Sequence, residues 1–228
     1  MKVTAIIVAA GVGKRMGQAT PKQFLPLLGQ PLLAHTLIPF EAVQEVGEII
    51  VLVPTGWEEH CRSVVIEKNG FKKVSKVISG GKARQDTVYI GLKEAATTSD
   101  VVVVHDGVRP LVTEALIQIS IKTAADCGAA VVAIPLTDTL KQVTLDGLIR
   151  RTLKREGLWL VQTPQTFQKE IILEAYEGAF RDHFSGTDDA ALVERAGFPI
   201  KIVPGSAMNL KITTPEDFRL AEIFLEGR

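Results

Sequence analysis

The sequence predicts an α/β fold in which helices cover both faces of a mostly parallel sheet. The first observation is a series of short runs rich in β-branched residues, each long enough for one buried strand. The second is that stretches with helical spacing of their apolar residues separate most of these runs. Continuous apolar strands that alternate with amphipathic helices are typical of a parallel sheet buried on both sides. We therefore predict a Rossmann-like architecture.

The predicted elements follow each other along the chain in the order that this architecture requires. The strand candidates, from the amino end, are TAIIVAA, EIIVLV, KVSKVIS, DVVVVHD, AAVVAIPL and PIKIVPG. The helix candidates between them are PLLAHTLIPFEAV, WEEHCRSVVIEKNG, RQDTVYIGLKEAA and TEALIQISIKTAAD. Because no fixed-period repeat, low-complexity tract or flexible linker interrupts the series, residues 1–228 are predicted to form a single domain.

One segment, residues 137–156, breaks this alternation. It reads TDTLKQVTLDGLIRRTLKRE, with two polar, strand-like arms around Asp146-Gly147. Asp-Gly between such arms is a strong signal for a β-hairpin. The arms have too few large apolar residues to join the main core, so we predict a projecting β-hairpin arm that packs against a second subunit. A solvent-exposed flap is the alternative.

Charge and cysteine content exclude several classes of partner. The 26 Lys and Arg residues balance the 26 Asp and Glu residues, so no overall field attracts nucleic acid or an anionic membrane. Cys61 and Cys127 form no Cys-x-x-Cys pair, which favours reduced thiols. The stretch MKVTAIIVAAG is too short for a signal peptide, and no apolar run is long enough to span a bilayer. We therefore expect a soluble, cytoplasmic protein.

The glycine-rich loop behind the first strand is the strongest candidate for a ligand site. It reads AAGVGKRMGQATPKQF and contains Gly11, Gly13 and Gly17, together with the cations Arg15 and Lys22. Ligands of open α/β sheets bind at the carboxyl ends of the strands, and glycine lets the backbone approach phosphate oxygens. Fixed positive charge around such a turn suits a triphosphate, whose transfer requires charge neutralisation. We therefore predict that the loop binds a nucleoside triphosphate.

Two other phosphate-binding designs fit this loop less well. A dinucleotide fingerprint requires G-x-G-x-x-G and an acidic residue at the end of the second strand, whereas this loop has G-x-G-x-x-x-G and the strand ends in VLVPTG. A Walker loop requires Gly and Ser or Thr where this sequence has Val8 and Arg15. The first mismatch argues against an oxidoreductase, and the second argues against a P-loop enzyme.

The loop also resembles the signature of a known enzyme family. AAGVGKRMGQATPKQF is similar to the signature loop of the sugar-nucleotide cytidylyltransferases, above all of the branch that acts on 2-C-methyl-D-erythritol 4-phosphate in the non-mevalonate isoprenoid pathway. The likeness continues in family order over essentially the whole chain, through GGKARQDTV, VVVVHDGVRP, IPLTDTLK, REGLWLVQTPQTF, GTDDAA and NLKITTPEDF. The resemblance implies a nucleotidyltransferase domain that transfers CMP from CTP to this acceptor and releases pyrophosphate.

On the nucleotide side, the resemblance assigns CTP binding to residues of three blocks: Ala9, Ala10, Gly11 and Gly13, then Gly81, Arg84 and Thr87, and finally Asp106 and Arg109. Gly81 and the Thr87 hydroxyl match positions that read the cytosine. Asp106 is the candidate contact for the ribose or for Mg²⁺, and Arg109 orders its loop. We expect Mg²⁺ to be bound mainly by the triphosphate oxygens, with few protein ligands. His105 is interpreted as a structural residue.

On the acceptor side, the resemblance assigns substrate binding to Thr139, Arg155, Thr163 and Lys211. In the resembled family these two positions bind the acceptor phosphate from the neighbouring subunit, so the resemblance implies a homodimer in which Thr139 and Arg155 reach the partner's site. The acceptor phosphate is already an anion, so catalysis is expected to consist of positioning and charge stabilisation. Arg15 and Lys22 are the catalytic residues for the transition-state charge, and Arg155 and Lys211 are those that align the acceptor phosphate.

Two later blocks predict helix starts. In GTDDAALVERAG, Thr187 is the candidate N-cap, and Asp188 and Asp189 suit the positive end of the helix. In NLKITTPEDF, the stretch from Thr214 to Asp217 suits the start of another helix, and Asn209 is a candidate contact for the metal–phosphate assembly.

Departures from the family pattern leave two alternatives. Lys82 stands where some relatives carry an acidic residue, and Gly107-Val108 stands where close relatives often carry Ala-Ala. A Val-containing form also occurs in the ribitol-phosphate cytidylyltransferases, whereas TDTLK and LWLVQTPQTF depart from that group and favour methylerythritol phosphate. A ribitol 5-phosphate or other polyol-phosphate cytidylyltransferase is the first alternative. A non-catalytic nucleotide-binding regulator is the second.

Overall fold

A seven-stranded sheet forms the centre of the computed structural model, which describes residues 1–11 and 20–227. The strand order is β11-β7-β10-β6-β1-β4-β5. Six strands run parallel, and β10 runs antiparallel to both of its neighbours. The strands are β1 Val3–Val8, β4 Val46–Val53, β5 Val74–Ser79, β6 Val101–Asp106, β7 Ala129–Pro135, β10 Trp159–Gln168 and β11 Lys201–Pro204.

Helices cover both faces of this sheet, as the sequence predicts. One core lies under α1 Leu32–Ala42, α2 Glu58–Cys61 with its π-helical continuation Arg62–Glu67, and α4 Glu114–Cys127. The opposite core lies under α3 Arg84–Glu94, α5 Lys169–Arg181 and α6 Asp189–Arg195. Alternate residues of β1 serve the two cores, since Ala5 and Ile7 face the first and Ile6 faces the second. The predicted α/β class is therefore confirmed.

A smaller apolar cluster fixes the last helix near the edge of the sheet that carries the site. It joins α7 Pro215–Glu226 to Val108, Leu111 and Ile212, and to the short hairpin of β2 Pro26–Leu27 and β3 Gln30–Pro31. Thr214 caps α7 as predicted, because its hydroxyl accepts the Asp217 N–H while the Asp217 carboxylate accepts the Thr214 N–H at 2.8 Å.

The predicted hairpin arm is present. Strands β8 Leu140–Val143 and β9 Ile149–Leu153 pair antiparallel and form a two-stranded sheet of their own. Gly147 adopts a φ of 85° in the turn between them, a conformation that glycine accepts without steric cost. Apolar side chains are exposed on the arm and on the first residues of β10, namely Val143, Leu145, Leu148, Ile149, Leu158, Trp159, Leu160 and Val161.

Strand β10 was absent from the predicted strands, and its composition explains why. Its buried half reads QTPQTF, which offers few apolar residues to a pattern search. Thr166 and Gln165 are nevertheless buried, because the Thr166 hydroxyl bonds Ser120 Oγ at 3.0 Å and the Gln165 amide bonds Asp188 Oδ2 at 2.8 Å. Hydrogen bonding rather than hydrophobicity therefore allows this strand to be buried.

The helix α6 begins one residue later than predicted. The N-cap is Asp188, whose Oδ1 atom accepts the Ala191 N–H at 2.9 Å, and not Thr187. Asp189, the first residue of the helix, turns inward and is fully buried.

No helix within residues 1–11 and 20–227 is both long and apolar enough to cross a bilayer. Both cysteines are free thiols, with Cys61 buried and Cys127 exposed. Burial raises the pKa of the Cys61 thiol to about 12, which makes this side chain chemically inert.

Candidate active site

Three segments meet at the carboxyl edge of the parallel strands. Ala9–Gly11 follows β1, residues 80–83 follow β5, and Asp106 is the last residue of β6. A fourth segment, residues 209–213 before α7, joins them because the Ile212 N–H donates to the Val108 carbonyl at 2.9 Å. This edge is where ligands of open α/β sheets bind.

The segments enclose a cavity of about 210 Å³, called the first cavity below. Many of the residues predicted to contact the nucleotide and the reacting phosphates line it together: Ala9, Ala10, Gly11, Lys22, Gly81, Arg84, Thr87, Asp106 and Lys211. The predicted residues Gly13 and Arg15 lie outside the described part of the chain.

The floor of the first cavity depends on two loops that touch. A Cβ atom added to Gly80 would lie 2.3 Å from the Cβ atom of Ala10, so only glycine permits this approach. The buried Gln23 amide donates to the carbonyls of Ala9 and Gly11, which fixes the first turn of the loop behind β1. Gln23 was not among the predicted site residues, although it follows Lys22 directly.

Two cations from opposite ends of the chain line the first cavity. Lys22 Nζ donates to the Ile212 carbonyl at 2.6 Å, and the neighbouring Lys211 Nζ lies 2.9 Å from Asp106 Oδ2. Lys22 and Lys211 thus line the same cavity, and their catalytic roles stay a prediction.

Asp106 is surrounded by positive charge. Besides Lys211, Arg109 Nε lies 3.4 Å from its Oδ2 atom, and Arg84 Nε lies 3.6 Å from its Oδ1 atom. Burial alone would raise the pKa of Asp106, but these cations, Lys211 foremost, outweigh burial and hold the pKa of the carboxyl well below its usual range. Asp106 is therefore ionised at neutral pH, and one negative charge orients three cations.

Arg84 is held from the other side by Asp189. The two guanidinium nitrogens Nη1 and Nη2 bond the Asp189 carboxylate oxygens at 2.9 and 2.7 Å, and the Tyr176 hydroxyl donates to the same carboxylate. Burial opposes the Arg84 charge, but Asp189 outweighs it and raises the pKa of Arg84 above its ordinary value. Asp189 thus belongs to the site's ion pairs and also lies in the first turn of α6, at the positive helix end that the sequence predicts for it.

The Thr87 hydroxyl forms hydrogen bonds to the backbone of the loop that precedes its own helix. It accepts the Gly81 N–H at 3.0 Å and donates to the Ala83 carbonyl at 2.9 Å. Sequence reasoning assigned this hydroxyl and Gly81 to the base. In the structure, the two residues bond each other and shape the wall of the first cavity.

A second cavity of about 480 Å³ adjoins the first. Arg84, Asp106 and Lys211 line both cavities and form the wall between them. The predicted residues Arg109 and Thr163 line only the second. Thr163 is buried, and its hydroxyl accepts the Asp106 N–H at 3.1 Å.

The hairpin residues Thr139 and Arg155 lie apart from both cavities. Both are exposed at the base of the arm, where Arg155 donates to the Thr137 carbonyl. Neither residue lines either cavity of its own chain. Their predicted contact with substrate therefore requires the arm of a second copy.

Comparisons with known proteins identify the family of the chain. The family model described as 2-C-methyl-D-erythritol 4-phosphate cytidylyltransferase matches residues 3–227. The protein of that name from Geotalea uraniireducens is 48% identical over 229 residues, covering 100% of this chain and 98% of the relative. The one from Pelotomaculum thermopropionicum is 47% identical over 227 residues, covering 100% of this chain and 95% of the relative.

Solved structures give the same result. The crystal structure of the cytidylyltransferase of that name from Thermus thermophilus superposes with a TM-score of 0.82 at 34% identity, covering 99% of this chain and 100% of the other. The 4-diphosphocytidyl-2C-methyl-D-erythritol synthase from Anaerococcus prevotii gives a TM-score of 0.86 at 32% identity, covering 99% and 96%. The chain belongs to the family of 2-C-methyl-D-erythritol 4-phosphate cytidylyltransferases.

Proposed function

We propose that the chain transfers the cytidylyl group of CTP to the phosphate of 2-C-methyl-D-erythritol 4-phosphate, in the non-mevalonate pathway to isoprenoid precursors. A phosphate oxygen of the acceptor attacks the α-phosphorus of CTP, a new P–O bond forms, and the bond to pyrophosphate breaks. The observation that carries the proposal is the convergence of Lys22 and Lys211 on one cavity beneath the loop Ala9–Gly11. Family membership supports the choice of both substrates.

In this proposal, the first cavity holds the nucleotide and the second holds the acceptor. The backbone of Ala9–Gly11 and of residues 80–83 faces the base and the phosphates. The shared wall then puts Lys211 and Asp106 beside the reacting phosphorus. Lys22, together with Arg15 outside the described residues, stabilises the charge that develops in the transition state. The nucleophile is already an anion, so the reaction needs no general base.

Magnesium fits the site as a companion of the triphosphate. Among the described residues, no group of three or more His, Cys, Asp or Glu side chains is placed to hold a metal. Asp106 is the carboxylate that lines the first cavity, and its charge is shared among three cations. Mg²⁺ bound mainly to phosphate oxygens, with Asp106 nearby, agrees with its preference for few protein ligands. The ion would supply charge neutralisation on the leaving pyrophosphate.

The acceptor site is completed in this proposal by the arm of a second copy. The exposed apolar residues of the arm and of the start of β10 are suited to a subunit contact. Thr139 and Arg155 lie at the base of the same arm and would bind the acceptor phosphate in the partner's second cavity. We also propose a cytoplasmic location, which the free Cys61 and Cys127 thiols favour.

The experiment that tests the proposal is a pyrophosphate-release assay with CTP and Mg²⁺. Turnover with 2-C-methyl-D-erythritol 4-phosphate that exceeds turnover with ribitol 5-phosphate by at least about a hundredfold supports the assignment. A preference for ribitol 5-phosphate would mean that this compound, and not methylerythritol phosphate, is the acceptor. CTP binding without turnover on either acceptor would support a regulator instead.

A further inference from the structure

Four buried residues around Asp106 form a closed ring of hydrogen bonds that has no part in the mechanism proposed above. His105 Nε2 donates to the Arg109 carbonyl at 3.3 Å, and Arg109 Nη1 donates to the Asn209 carbonyl at 2.7 Å. Asn209 Nδ2 donates to the Thr163 carbonyl at 2.9 Å, and the Thr163 hydroxyl bonds His105 Nδ1 at 3.0 Å. All four residues are less than a tenth exposed.

The direction of each bond follows from its chemistry. A carbonyl only accepts, so the proton of the His105 ring lies on Nε2, and Nδ1 is left as an acceptor for the Thr163 hydroxyl. The oxygen of that hydroxyl also accepts a hydrogen bond from the Asp106 N–H. Since burial lowers the pKa of His105 to about 3, this neutral tautomer persists at neutral pH.

The ring connects three parts of the chain that carry reacting groups. His105 precedes Asp106 at the end of β6, and Asn209 precedes Lys211 by two residues. Thr163 belongs to β10, which is a neighbour of β6 in the sheet. The Asn209 side chain also donates to Gln162 Oε1 at 3.1 Å, so this segment is tied to β10 twice. The Asn209 amide nitrogen is turned to β10, whereas its Oδ1 atom has no hydrogen-bond partner among the described residues, so the contact of Asn209 with the metal–phosphate assembly stays a prediction.

We propose that His105 and Asn209 are positioning residues, which act through the ring to hold Asp106 and Lys211 in the wall between the two cavities. The proposal rests on the proposed function for its assay, but the geometry also gives a readout that is independent of turnover. Without the Asn209 amide, the segment that carries Lys211 loses both of its side-chain bonds to β10. Lys211 then samples positions away from Asp106, and the loss falls on kcat rather than on the KM for CTP.

The test is a double-mutant cycle between Asn209→Ala and Lys211→Ala, with Asn69→Ala as the matched control. Asn69 Nδ2 also donates to a backbone carbonyl, that of Val65 at 2.7 Å, but Asn69 lines neither cavity. We expect Asn209→Ala to lower kcat at least about tenfold in the wild-type background and less than about twofold in the Lys211→Ala background. Equal losses in both backgrounds would mean that Asn209 has only a structural role and would overturn the proposal.

Two further measurements keep the test decisive if Asn209→Ala folds poorly. His105→Gln retains a donor at the position of Nε2, whereas His105→Leu removes both polar atoms. We expect His105→Gln to retain several-fold more kcat than His105→Leu at the same melting temperature. In a crystal structure of His105→Leu, the distance from Lys211 Nζ to Asp106 Oδ2 should exceed the salt-bridge limit of about 4 Å. An unchanged distance would refute the proposal even if the wild-type protein proved to have another acceptor.

Discussion

Lys211 Nζ lies 2.9 Å from Asp106 Oδ2, and this ion pair joins the end of β6 to the segment before the last helix. Lys22 reaches the same segment from the beginning of the chain through the Ile212 carbonyl. Two cations from distant parts of the sequence therefore line one cavity, in which the Asp106 carboxylate orients Lys211 and the Ile212 carbonyl holds Lys22. The predictions below depend on this arrangement.

Replacing Lys22 by Ala should lower kcat by about a hundredfold, because one preorganised charge opposite the reacting phosphates is lost. The side chain is only partly buried and it donates to a backbone carbonyl, so the melting temperature should change little. Steady-state pyrophosphate release and thermal denaturation measure the two effects. Lys68→Ala, on the exposed surface, serves as the control and should change neither. Near-normal turnover of the Lys22 variant would remove this residue from the mechanism.

Asp189→Asn should destabilise the fold by about 3 kcal/mol, because it removes the buried carboxylate charge that binds the half-buried Arg84 guanidinium in bidentate fashion. Urea denaturation gives the free energy of unfolding. The matched control is Asp182→Asn, which breaks the exposed pair of Asp182 with Arg195 and should have no measurable effect. If both variants were equally stable, the pairing with Arg84 would not contribute to stability.

The proposed exchange of arms predicts complementation between two inactive variants. Arg155→Ala removes a residue that each site takes from its partner, and Lys211→Ala removes one from the chain that holds the cavity. In a mixed dimer, one of the two sites regains all its residues. Random mixing of equal amounts should therefore restore about a quarter of wild-type turnover per chain. Turnover that stays at the level of the separate variants would show that each site uses its own arm.

The stability of the protein should decrease on acidification between pH 6.5 and pH 5 because of His105. Its pKa is about 3 in the folded chain and about 6.5 in an unfolded one, so the unfolded state binds the proton first as the pH falls. The expected slope is at most about 1.4 kcal/mol per pH unit. The pKa of Asp106 is lowered on folding, and its contribution is lost only near and below the ordinary carboxyl range.

Urea midpoints from pH 7 to pH 5 measure this slope. His105→Gln lacks the titrating group and should give a flatter profile over the same range. His183→Gln, a change at an exposed histidine, should retain the wild-type slope. Equal slopes for wild type and His105→Gln would contradict a buried neutral His105.

The sequence alone predicts the parallel strands, the hairpin arm and the loop behind β1, because each has a strong local signal. The meeting of Asp106 with the two cations follows in part from topology, since β1 and β6 are neighbours and end at the same edge. The arrival of Lys211 does not follow from local patterns, and it was inferred only from the family resemblance.

Other features could not be predicted from the sequence, because they depend on contacts between residues that are distant along the chain. Asp188 and Asp189 at a helix start are predicted to suit its positive end, and only the fold shows that Asp189 also binds Arg84 of a distant helix. The buried half of β10 is polar, so its burial depends on partners such as Ser120 that no linear pattern reveals. The bond between the Thr87 hydroxyl and the Gly81 N–H also depends on the turn between these residues, and their contact with the base stays a prediction.

The reversed direction of β10 has a consequence for how the protein works. Strand β7 ends at the edge where the ligands bind, and β10 starts from that same edge because it runs the opposite way. The hairpin that connects β7 to β10 therefore projects from the domain at the same edge of the sheet as the candidate active site. If the arm packs against a second copy, dimer formation and catalysis depend on the same edge of the sheet. Dilution below the dissociation constant of the dimer then abolishes activity without unfolding the chain.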